Sequence, residues 1–427
     1  MGSLVNVSAR VAVMFLVAGA FTPQAALATN GYFSLGYGLK AQGMGGAATA
    51  STDDAKGGAN NPAGMVWAGD RFELGFEEFN PTRSASRSGN AKGLNASVAS
   101  EQNSFIIPGI GYNHMLGSRA SVGVTIYGNG GLNTDYAGGQ LNCGAGPGTG
   151  NLLCGPTRLG VNVAQVVVAP TFALKLGAHG SVGISPLFVH QAFRAGGLQA
   201  FTAVSASPSS VTDTGQSTSN GLGVRLGVLE KISDRVTFGA AYSPRTHMAP
   251  FAAYKGLFAN QGSFDVPENF TVGVAIRPLP RLSLAADYGR INYADVSSIA
   301  NPSTNRAPLG ADGGPGFGWQ TISVERIGLE YRTSGSTVFR AGYNHGGNPV
   351  QPRDVTFNIL APGIVTDHLT FGFTQPLGRP GSELTFAYTR GLPNALSGAT
   401  SPLLPGGGTD TIRLAESSFG FAYSFKK

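Results

Sequence analysis

The side chains that carry most enzyme and metal chemistry are scattered along this sequence. Its six histidines are far apart, and none has a Glu or Asp at a spacing typical of a metal site. No serine stands in a Gly-x-Ser-x-Gly turn. Cys143 and Cys154 lie close together in a Gly/Pro-rich stretch that holds no His, Asp or Glu. We therefore expect no catalytic centre, metal or cofactor, and we interpret the two cysteines as a disulfide in an exported protein.

One set of charged residues does fall in a regular pattern, because its members lie in segments where apolar and polar residues alternate. Successive side chains of a β-strand point to opposite faces, so apolar residues on the outer face place these charges on the inner one. They are Glu73, Glu77, Arg225, Asp287, Arg326, Glu330, Arg340 and Glu383. We interpret most of them as members of ion pairs on that inner face. Alternatively, Arg225, Arg326 or Arg340 could bind a ligand carboxylate, for which the guanidinium fork is suited.

The alternation that positions these charges runs through the whole chain and is clearest in Ser418–Phe425, where aromatic and small residues take turns. A strand with one aromatic face and one polar face is typical of a wall between lipid and a polar lumen. About fourteen such segments follow Arg71, and short turns alternate with long loops along the chain. These features predict an all-β protein, a transmembrane antiparallel β-barrel with short periplasmic turns and long outer loops.

The first 70 residues do not fit the strand pattern. Arg10 precedes a short apolar run that ends in Ala26-Leu27-Ala28, which predicts a cleaved signal peptide over residues 1–28. Residues 29–70 are rich in Gly and Ala and too few to form a core of their own. We expect them to form a hatch inside the lumen of a barrel that spans residues 71–427; a disordered periplasmic tail is the alternative.

The overall charge carries little functional information. Charged residues make up 12% of the chain and give a formal net charge of +6. The cations are dispersed rather than interleaved with aromatic residues, so nucleic-acid binding is not expected.

Two predicted outer loops are unusually apolar for surface segments. Such a patch often marks a binding site, although the loops could also simply pack on each other. The candidate capture residues are Leu198 and Phe201 in one loop and Met248, Phe251, Tyr254, Leu257 and Phe258 in the next.

Glycines cluster where the third predicted strand runs into its loop. Gly128, Gly130 and Gly131 surround Asn129, and this density favours a β-bulge and weak pairing.

Several motifs, in order along the chain, resemble the FadL-type outer-membrane transporters and the related TodX-like hydrocarbon channels. They include Gly43-Met44-Gly45-Gly46, Asn60-Asn61-Pro62-Ala63-Gly64, the glycine run from Gly128 to Tyr136, Val266-Pro267-Glu268-Asn269-Phe270 and Phe339-Arg340-Ala341-Gly342-Tyr343. The resemblance implies that Asn61, Pro62 and Ala63 are a mobile hatch element beside a lateral opening formed by Gly128, Asn129, Gly130 and Gly131. By itself, Asn-Pro-Ala would be a simple turn.

The resemblance further implies passive uptake of hydrophobic compounds across the bacterial outer membrane, with long-chain fatty acids as the expected cargo. Monoaromatic or other hydrocarbons are the alternative cargo; an adhesive barrel and an outer-membrane enzyme are further alternatives. Expected partners are the small hydrophobic ligand, outer-membrane lipid and lipopolysaccharide, and the barrel-assembly machinery. Two features depart from the family pattern: Lys426 and Lys427 follow the terminal aromatic residue, and the cysteine pair is not a general feature.

Overall fold

A computed structural model describes residues 30–51, 53–144 and 149–427. The expected signal peptide therefore lies outside the described residues. The strands are β1 (Arg71–Ser88), β2 (Ala96–Ala99), β3 (Phe105–Leu116), β4 (Ala120–Tyr136), β5 (Leu159–Leu176), β6 (Gly180–Gly196), β7 (Ser217–Ser233), β8 (Val236–Ser243), β9 (Asn269–Leu279), β10 (Leu282–Ile291), β11 (Ile322–Arg332), β12 (Val338–Gly346), β13 (Asp367–Pro376), β14 (Ser382–Ala399) and β15 (Thr409–Lys426).

These strands form a closed antiparallel β-barrel. Neighbours in sequence pair with each other, and β1 pairs with β15 from Arg71↔Lys426 to Ser88↔Thr409, which closes the barrel. The short β2 pairs only with Ser84–Arg87 at the outer end of β1. Of the fifteen strands, fourteen therefore make the barrel wall, and the expected fold is confirmed.

Large apolar side chains cover the outer face of the wall. Leu74, Phe76, Phe172, Phe188, Leu226, Val274, Ile327, Phe339, Phe371, Tyr388 and Phe421 are all exposed. Such a continuous apolar surface matches the lipid-facing band of a membrane barrel.

Several strands are longer than the sequence pattern predicts. β1, β14 and β15 each have 18 residues, whereas a tilted strand crosses a bilayer in about 9–11. Their outer parts include segments expected to be loops, because the lipid-facing alternation stops where the strand leaves the membrane.

Within the described residues, short helices occur only in the hatch and the loops. The α-helical segments are Leu39–Gly43, Gly57–Asn60, Met65–Ala68, Ala259–Gly262, Ser297–Ala300 and Val355–Asn358, and the 3₁₀ segments are Pro62–Gly64, Gln199–Val204, Pro208–Ser210, Ala252–Tyr254, Tyr293–Asp295 and Pro352–Asp354. No helix in the described part of the chain is both long and apolar enough to cross a membrane.

Residues 30–51 and 53–70 form the hatch, which lies in the lumen and contacts strands all around the wall. Many inward positions of the strands are glycines, and at several of them a Cβ atom would meet the hatch within 3 Å. This glycine ring comprises Gly111, Gly183, Gly227, Gly239, Gly328, Gly342 and Gly420. At Gly342, for example, an added Cβ would lie 2.1 Å from the amide nitrogen of Gly45. The high glycine content therefore serves close packing of hatch against wall, and not turns alone.

The inward charges predicted by strand parity do point into the lumen, and most hold the hatch. Lys40 pairs with Glu383 at 2.6 Å, and Lys56 pairs with Glu73 at 3.3 Å. Asp287 Oδ2 accepts hydrogen bonds from the amides of Ala48 and Thr49 at 2.9 and 3.0 Å. These side chains connect the hatch to at least three different strands.

Candidate ligand-binding and exit sites

The outer loops enclose an apolar groove of about 520 Å³, part of it open to solvent. Its walls come from Leu153, Val161, Phe193, Leu198, Phe201, Leu257, Phe258, Ser298, Leu309, Pro315, Gly316, Phe317, Phe357 and Leu360. Only Ser298 brings a polar side chain, so the groove suits a hydrocarbon chain or ring.

The predicted capture residues divide into two groups in the structure. Leu198, Phe201, Leu257 and Phe258 line the groove. Met248, Phe251 and Tyr254 are buried beneath it. Phe251 packs on Phe193 with ring centroids 5.4 Å apart, and Tyr254 Oη donates to the carbonyl of Gly215 at 2.6 Å. This second group supports the walls of the groove and does not line it.

An aromatic cluster continues inward from the loops to the tip of the hatch. Tyr32 lies 5.5 Å from Tyr293 and 6.2 Å from Trp319, measured between ring centroids. Tyr293 Oη also donates to the carbonyl of Asn30 at 2.5 Å and accepts from the amide of Tyr32 at 3.1 Å. The hatch tip is therefore packed into the same apolar core as the groove.

Two adjoining cavities lie beside the hatch, deeper in the barrel. One, of about 360 Å³ including space open to solvent, has mainly apolar walls that include Phe33, Tyr37, Tyr127, Val167, Leu187 and Val189. The other, of about 500 Å³ counted in the same way, is more polar and includes Arg326. Arg225 and Asn269 line both cavities. Together they offer an apolar chamber with a cationic wall.

Arg225 and Arg326 are buried and form no ion pair within 4 Å among the described residues, but Arg326 lies directly opposite Asp287 in the ladder between β10 and β11. Arg225 Nη2 donates to Asn269 Oδ1 at 2.8 Å, while its buried Nε has no hydrogen-bond partner in that part of the chain. Arg326 Nε donates to the carbonyl of Leu35 at 3.1 Å. Arg340, the third predicted carboxylate partner, instead pairs with Glu330 at 2.8 Å and lies outside these cavities.

The barrel wall is interrupted between β3 and β4. These strands pair only from Leu116↔Ala120 to Ile110↔Ile126, although β3 begins five residues earlier, at Phe105. An isolated bridge between Ser100 and Tyr136 rejoins the chain above the interruption. A cavity of about 380 Å³ reaches the break, where Ile107, Pro108 and Gly128 line it. It also touches Phe76, whose side chain is on the lipid side.

Asn129 is the extra residue of a β-bulge at this break. Gly128 pairs with Val166 and Gly130 with Gln165, so no residue of β5 is left opposite Asn129. Its side chain turns inward, where it accepts from Tyr37 Oη at 2.5 Å and donates to Gln165. Gly130 forms a bridge with Phe33 of the hatch tip, while Gly131 pairs with Ala164 in the continuing strand. The bulge therefore joins the wall break to the hatch.

Asn61, Pro62 and Ala63 lie against β6 and β7, away from the break. Asn61 Nδ2 donates to the carbonyl of Val228 at 2.9 Å, and Ser181 Oγ donates to the carbonyl of Ala63 at 2.8 Å. A Cβ atom at Gly183 would lie 2.4 Å from Pro62. The structure thus places this motif at a hatch–wall contact, whereas the sequence predicted it beside the opening.

The remaining predictions concern the two cysteines and metal binding. Cys143 and Cys154 are joined by a disulfide in an outer loop. No group of three or more His, Cys, Asp or Glu side chains within residues 30–51, 53–144 and 149–427 could hold a metal ion.

The sequence did not single out Tyr37, Tyr127, Ile107 or Pro108. Pro108 carried a usable signal, since a proline inside an alternating strand often marks an unpaired edge. Tyr37 and Tyr127, with ring centroids 4.4 Å apart, come together only in the folded hatch, and nothing local in the sequence indicates this.

Comparison with known proteins agrees with this architecture. The family model of the outer membrane protein transport proteins (OMPP1/FadL/TodX) matches residues 16–363. The fold is similar to that of the toluene transporter TodX of P. putida, with a TM-score of 0.68 and 19% identity over 92% of this chain and 99% of that one. A FadL homologue of Pseudomonas aeruginosa gives a TM-score of 0.70 at 14% identity, covering 93% and 99% of the two chains.

The toluene transporter TbuX of Ralstonia pickettii is similar as well, with a TM-score of 0.63 and 19% identity over 92% of this chain and 98% of that one. A search of curated protein sequences finds no match. Because the family model covers most of the chain and the fold agrees, this protein belongs to the OMPP1/FadL/TodX family of outer-membrane transport proteins.

Proposed function

We propose that this protein carries long-chain fatty acids passively across the outer membrane and releases them sideways through the break between β3 and β4. The outer groove would capture the ligand, and the inner cavities would hold it beside the hatch. The carboxylate is then bound by protein groups while the chain stays on apolar walls. On this proposal, lipopolysaccharide surrounds the outer part of the barrel, and the barrel-assembly machinery inserts it.

The observation that carries the fatty-acid assignment is the buried Arg225. It has no carboxylate partner in the described chain, whereas Arg326 lies directly opposite Asp287 in the ladder between β10 and β11; both arginines line the cavity of about 500 Å³, which includes space open to solvent. Arg225 also lines the adjoining apolar cavity, so one guanidinium reaches both chambers. A buried cation without a counter-ion is costly, and a ligand carboxylate would remove that cost.

The lateral exit is supported by the position of the wall break. The cavity at the break touches Tyr37 and Tyr127, which also line the apolar chamber. A ligand in that chamber is therefore close to hydrocarbon, and this exit avoids the polar, ion-paired region around Lys40 and Glu383.

Monoaromatic hydrocarbons are the second candidate cargo. TodX and TbuX are named as toluene transporters, and the outer groove is apolar enough for a ring. The two candidates differ in one physical requirement: a fatty acid needs a cationic partner for its head group, and toluene does not.

Replacing Arg225 tests the cargo class. Arg225→Gln should weaken the binding of a fluorescent fatty acid to the purified protein about tenfold or more, since a charged hydrogen bond contributes ~1.5–3 kcal/mol. Binding of the methyl ester of that acid should change little, and Arg225→Lys should restore part of the loss. The matched control is Arg194→Gln, which removes an exposed cation from β6.

The outcomes separate the alternatives. Equal loss for acid and ester would mean that the substitution disturbs the chamber itself. Unchanged acid binding, with toluene competing for the same site, would favour hydrocarbon transport.

Deleting Asn129 tests the exit route. The deletion removes the extra residue of the bulge and lets β4 continue in register with β5, so that the wall can close toward β3. Uptake into cells should collapse, while the purified protein still binds ligand and keeps the heat-modifiable mobility of a folded barrel. Normal uptake through a closed wall would argue for a path straight past the hatch.

A further inference from the structure

The periplasmic mouth of the barrel is a wide vestibule of about 1700 Å³, including space open to solvent. Its ceiling is the underside of the hatch, and its walls are the inner faces at the periplasmic ends of β7 to β12. Seven cationic side chains and four carboxylates line it. The transport route proposed above does not use this vestibule.

Two of the four carboxylates, Asp53 and Glu330, and three of the seven cations are already engaged, while Asp234 is exposed beside Arg235. Lys40 pairs with Asp53 and Glu383 at 3.6 and 2.6 Å, and Arg340 pairs with Glu330 at 2.8 Å. Lys231 stacks on the ring of Trp67 at 3.6 Å. Four exposed arginines remain, and none has an ion-pair partner in the part of the chain that the structure covers: Arg235, Arg277, Arg281 and Arg332.

These four arginines stand opposite one another in two like-charged pairs. The amide of Arg277 donates to the carbonyl of Arg235 at 2.8 Å, and the amide of Arg332 donates to that of Arg281 at 2.9 Å. Each pair thus faces across the end of a strand ladder, one residue beyond the pairs Val236↔Ile276 and Leu282↔Tyr331. Like charges in this arrangement are destabilising, so the cluster has no structural benefit of its own, and a bound anion would relieve the repulsion.

We propose that this arginine cluster is a docking site for an acidic segment of a soluble periplasmic protein. Arg277 and Arg332 lie in β9 and β11, and Arg235 and Arg281 lie in the turns just before β8 and β10. Because neighbouring strands are about 4.8 Å apart, the four positions give an arc of ~15 Å. A single phosphate is too small to bridge that arc. An extended peptide of about five residues, at ~3.3–3.6 Å per residue, spans it and can present carboxylates to both pairs.

The direction of the side chains disfavours a lipid partner. By strand parity, Arg235, Arg277 and Arg332 lie on the same face as Gly239, Gly273 and Gly328, whose added Cβ atoms would meet the hatch or the luminal Asp287. They therefore point into the vestibule and away from the headgroups around the barrel. This inference is independent of the proposed cargo, because it concerns a surface on the opposite side of the hatch from the outer groove.

The test uses the whole protein in nanodiscs, titrated with a labelled glutamate decapeptide. The peptide should bind at about 50 mM salt and weaken at least tenfold at about 0.5 M, where screening is strong. Arg235→Ser/Arg277→Ser should weaken binding about fivefold or more. The control, Lys92→Ser/Arg306→Ser, removes the same charge from exposed outer-loop positions and should bind like the parent protein.

Thermal unfolding of the variant shows whether weaker binding is caused by a loss of folding. Because the substitution removes a like-charged pair, the vestibule variant should unfold at a temperature equal to or above that of the parent protein. Absent binding at low salt, or equal weakening by the control variant, would overturn the proposal. Pyrophosphate binding as tight as peptide binding would make this a small-anion site, and displacement of the peptide by added phosphatidylglycerol would assign the cluster to lipid. Either result would also overturn it.

Discussion

Gly130→Ala should release the tip of the hatch without disturbing the barrel. A Cβ atom at Gly130 would lie 1.8 Å from the carbonyl oxygen of Tyr32, about 1.5 Å short of an ordinary carbon–oxygen contact of ~3.3 Å. The surrounding strand is held by its pairing to β5, so the hatch tip must move instead of the wall.

The cost follows from the contacts that the tip would lose. These are the bridge between Phe33 and Gly130, the hydrogen bond from the amide of Tyr32 to Tyr293, and the packing of Tyr32 on Tyr293 and Trp319. Hydrogen bonds contribute ~0.5–1.5 kcal/mol each and aromatic pairs a similar amount. Partial loss of this set destabilises the docked tip by about 3 kcal/mol.

Hydrogen exchange measures this directly. A loss of about 3 kcal/mol should speed exchange of the amides in residues 30–37 about a hundredfold, with little change in β7 to β12. The control is Gly378→Ala, because a Cβ atom there meets nothing within 4 Å. Unchanged protection of the tip in Gly130→Ala would refute the steric argument and mean that the wall at β4 yields.

Three further results are expected. Thiol labelling of denatured, unreduced protein should find Cys143 and Cys154 blocked, and Cys143→Ser/Cys154→Ser should leave the barrel folded, because the disulfide lies in an outer loop; two free thiols would contradict this. Phe201→Ala/Leu257→Ala should weaken capture of a fluorescent fatty acid by about 3 kcal/mol or more, given ~1.5–3 kcal/mol per buried side chain. Uptake equal to the parent's at limiting ligand would mean that the groove is only a packed lid.

The third concerns pH. Burial, with the nearby negative charge of Glu73, raises the pKa of Asp54 in the hatch to about 7. A raised acid pKa stabilises the docked hatch fully below the ordinary value of ~4, and this contribution is lost as the pH rises through about 7. After correction for the intrinsic pH dependence of exchange, hydrogen exchange of the hatch amides should therefore be faster at about pH 8.5 than at about pH 5.5. Asp54→Asn should remove this difference. A pH dependence that persists in Asp54→Asn would mean that another group titrates.

The barrel could be predicted from the sequence because lipid imposes a strict period of two on every strand that it touches. Leu74 and Phe76 face outward and Glu73 and Glu77 face inward, as their alternation indicates. The outer ends of β1 and β14 could not be predicted in this way, since water on both sides removes the contrast between their faces.

The candidate site could be predicted only where the local composition of the sequence indicates it. Apolar loop residues indicated the groove, but they did not distinguish Phe258 on its wall from Phe251 beneath it. The glycine run indicated the bulge, whereas the contact of Asn61 and Pro62 with Gly183 and Gly227 joins residues more than a hundred positions apart. Such pairings depend on how the hatch sits in the lumen, which no local pattern determines.

The glycine ring has a consequence for the order of assembly. Because Gly111, Gly183, Gly227, Gly328 and Gly342 each lie against hatch atoms so closely that a Cβ would not fit, a finished barrel offers no clearance through which a structured hatch could be threaded. The seam between β1 and β15, which joins the two ends of the wall, should therefore be the last to form, with the hatch already lying against the open sheet. Pairing of β15 with β1 is then the step that encloses the hatch. A substitution at the C-terminal end of β15 would slow biogenesis before it affected transport.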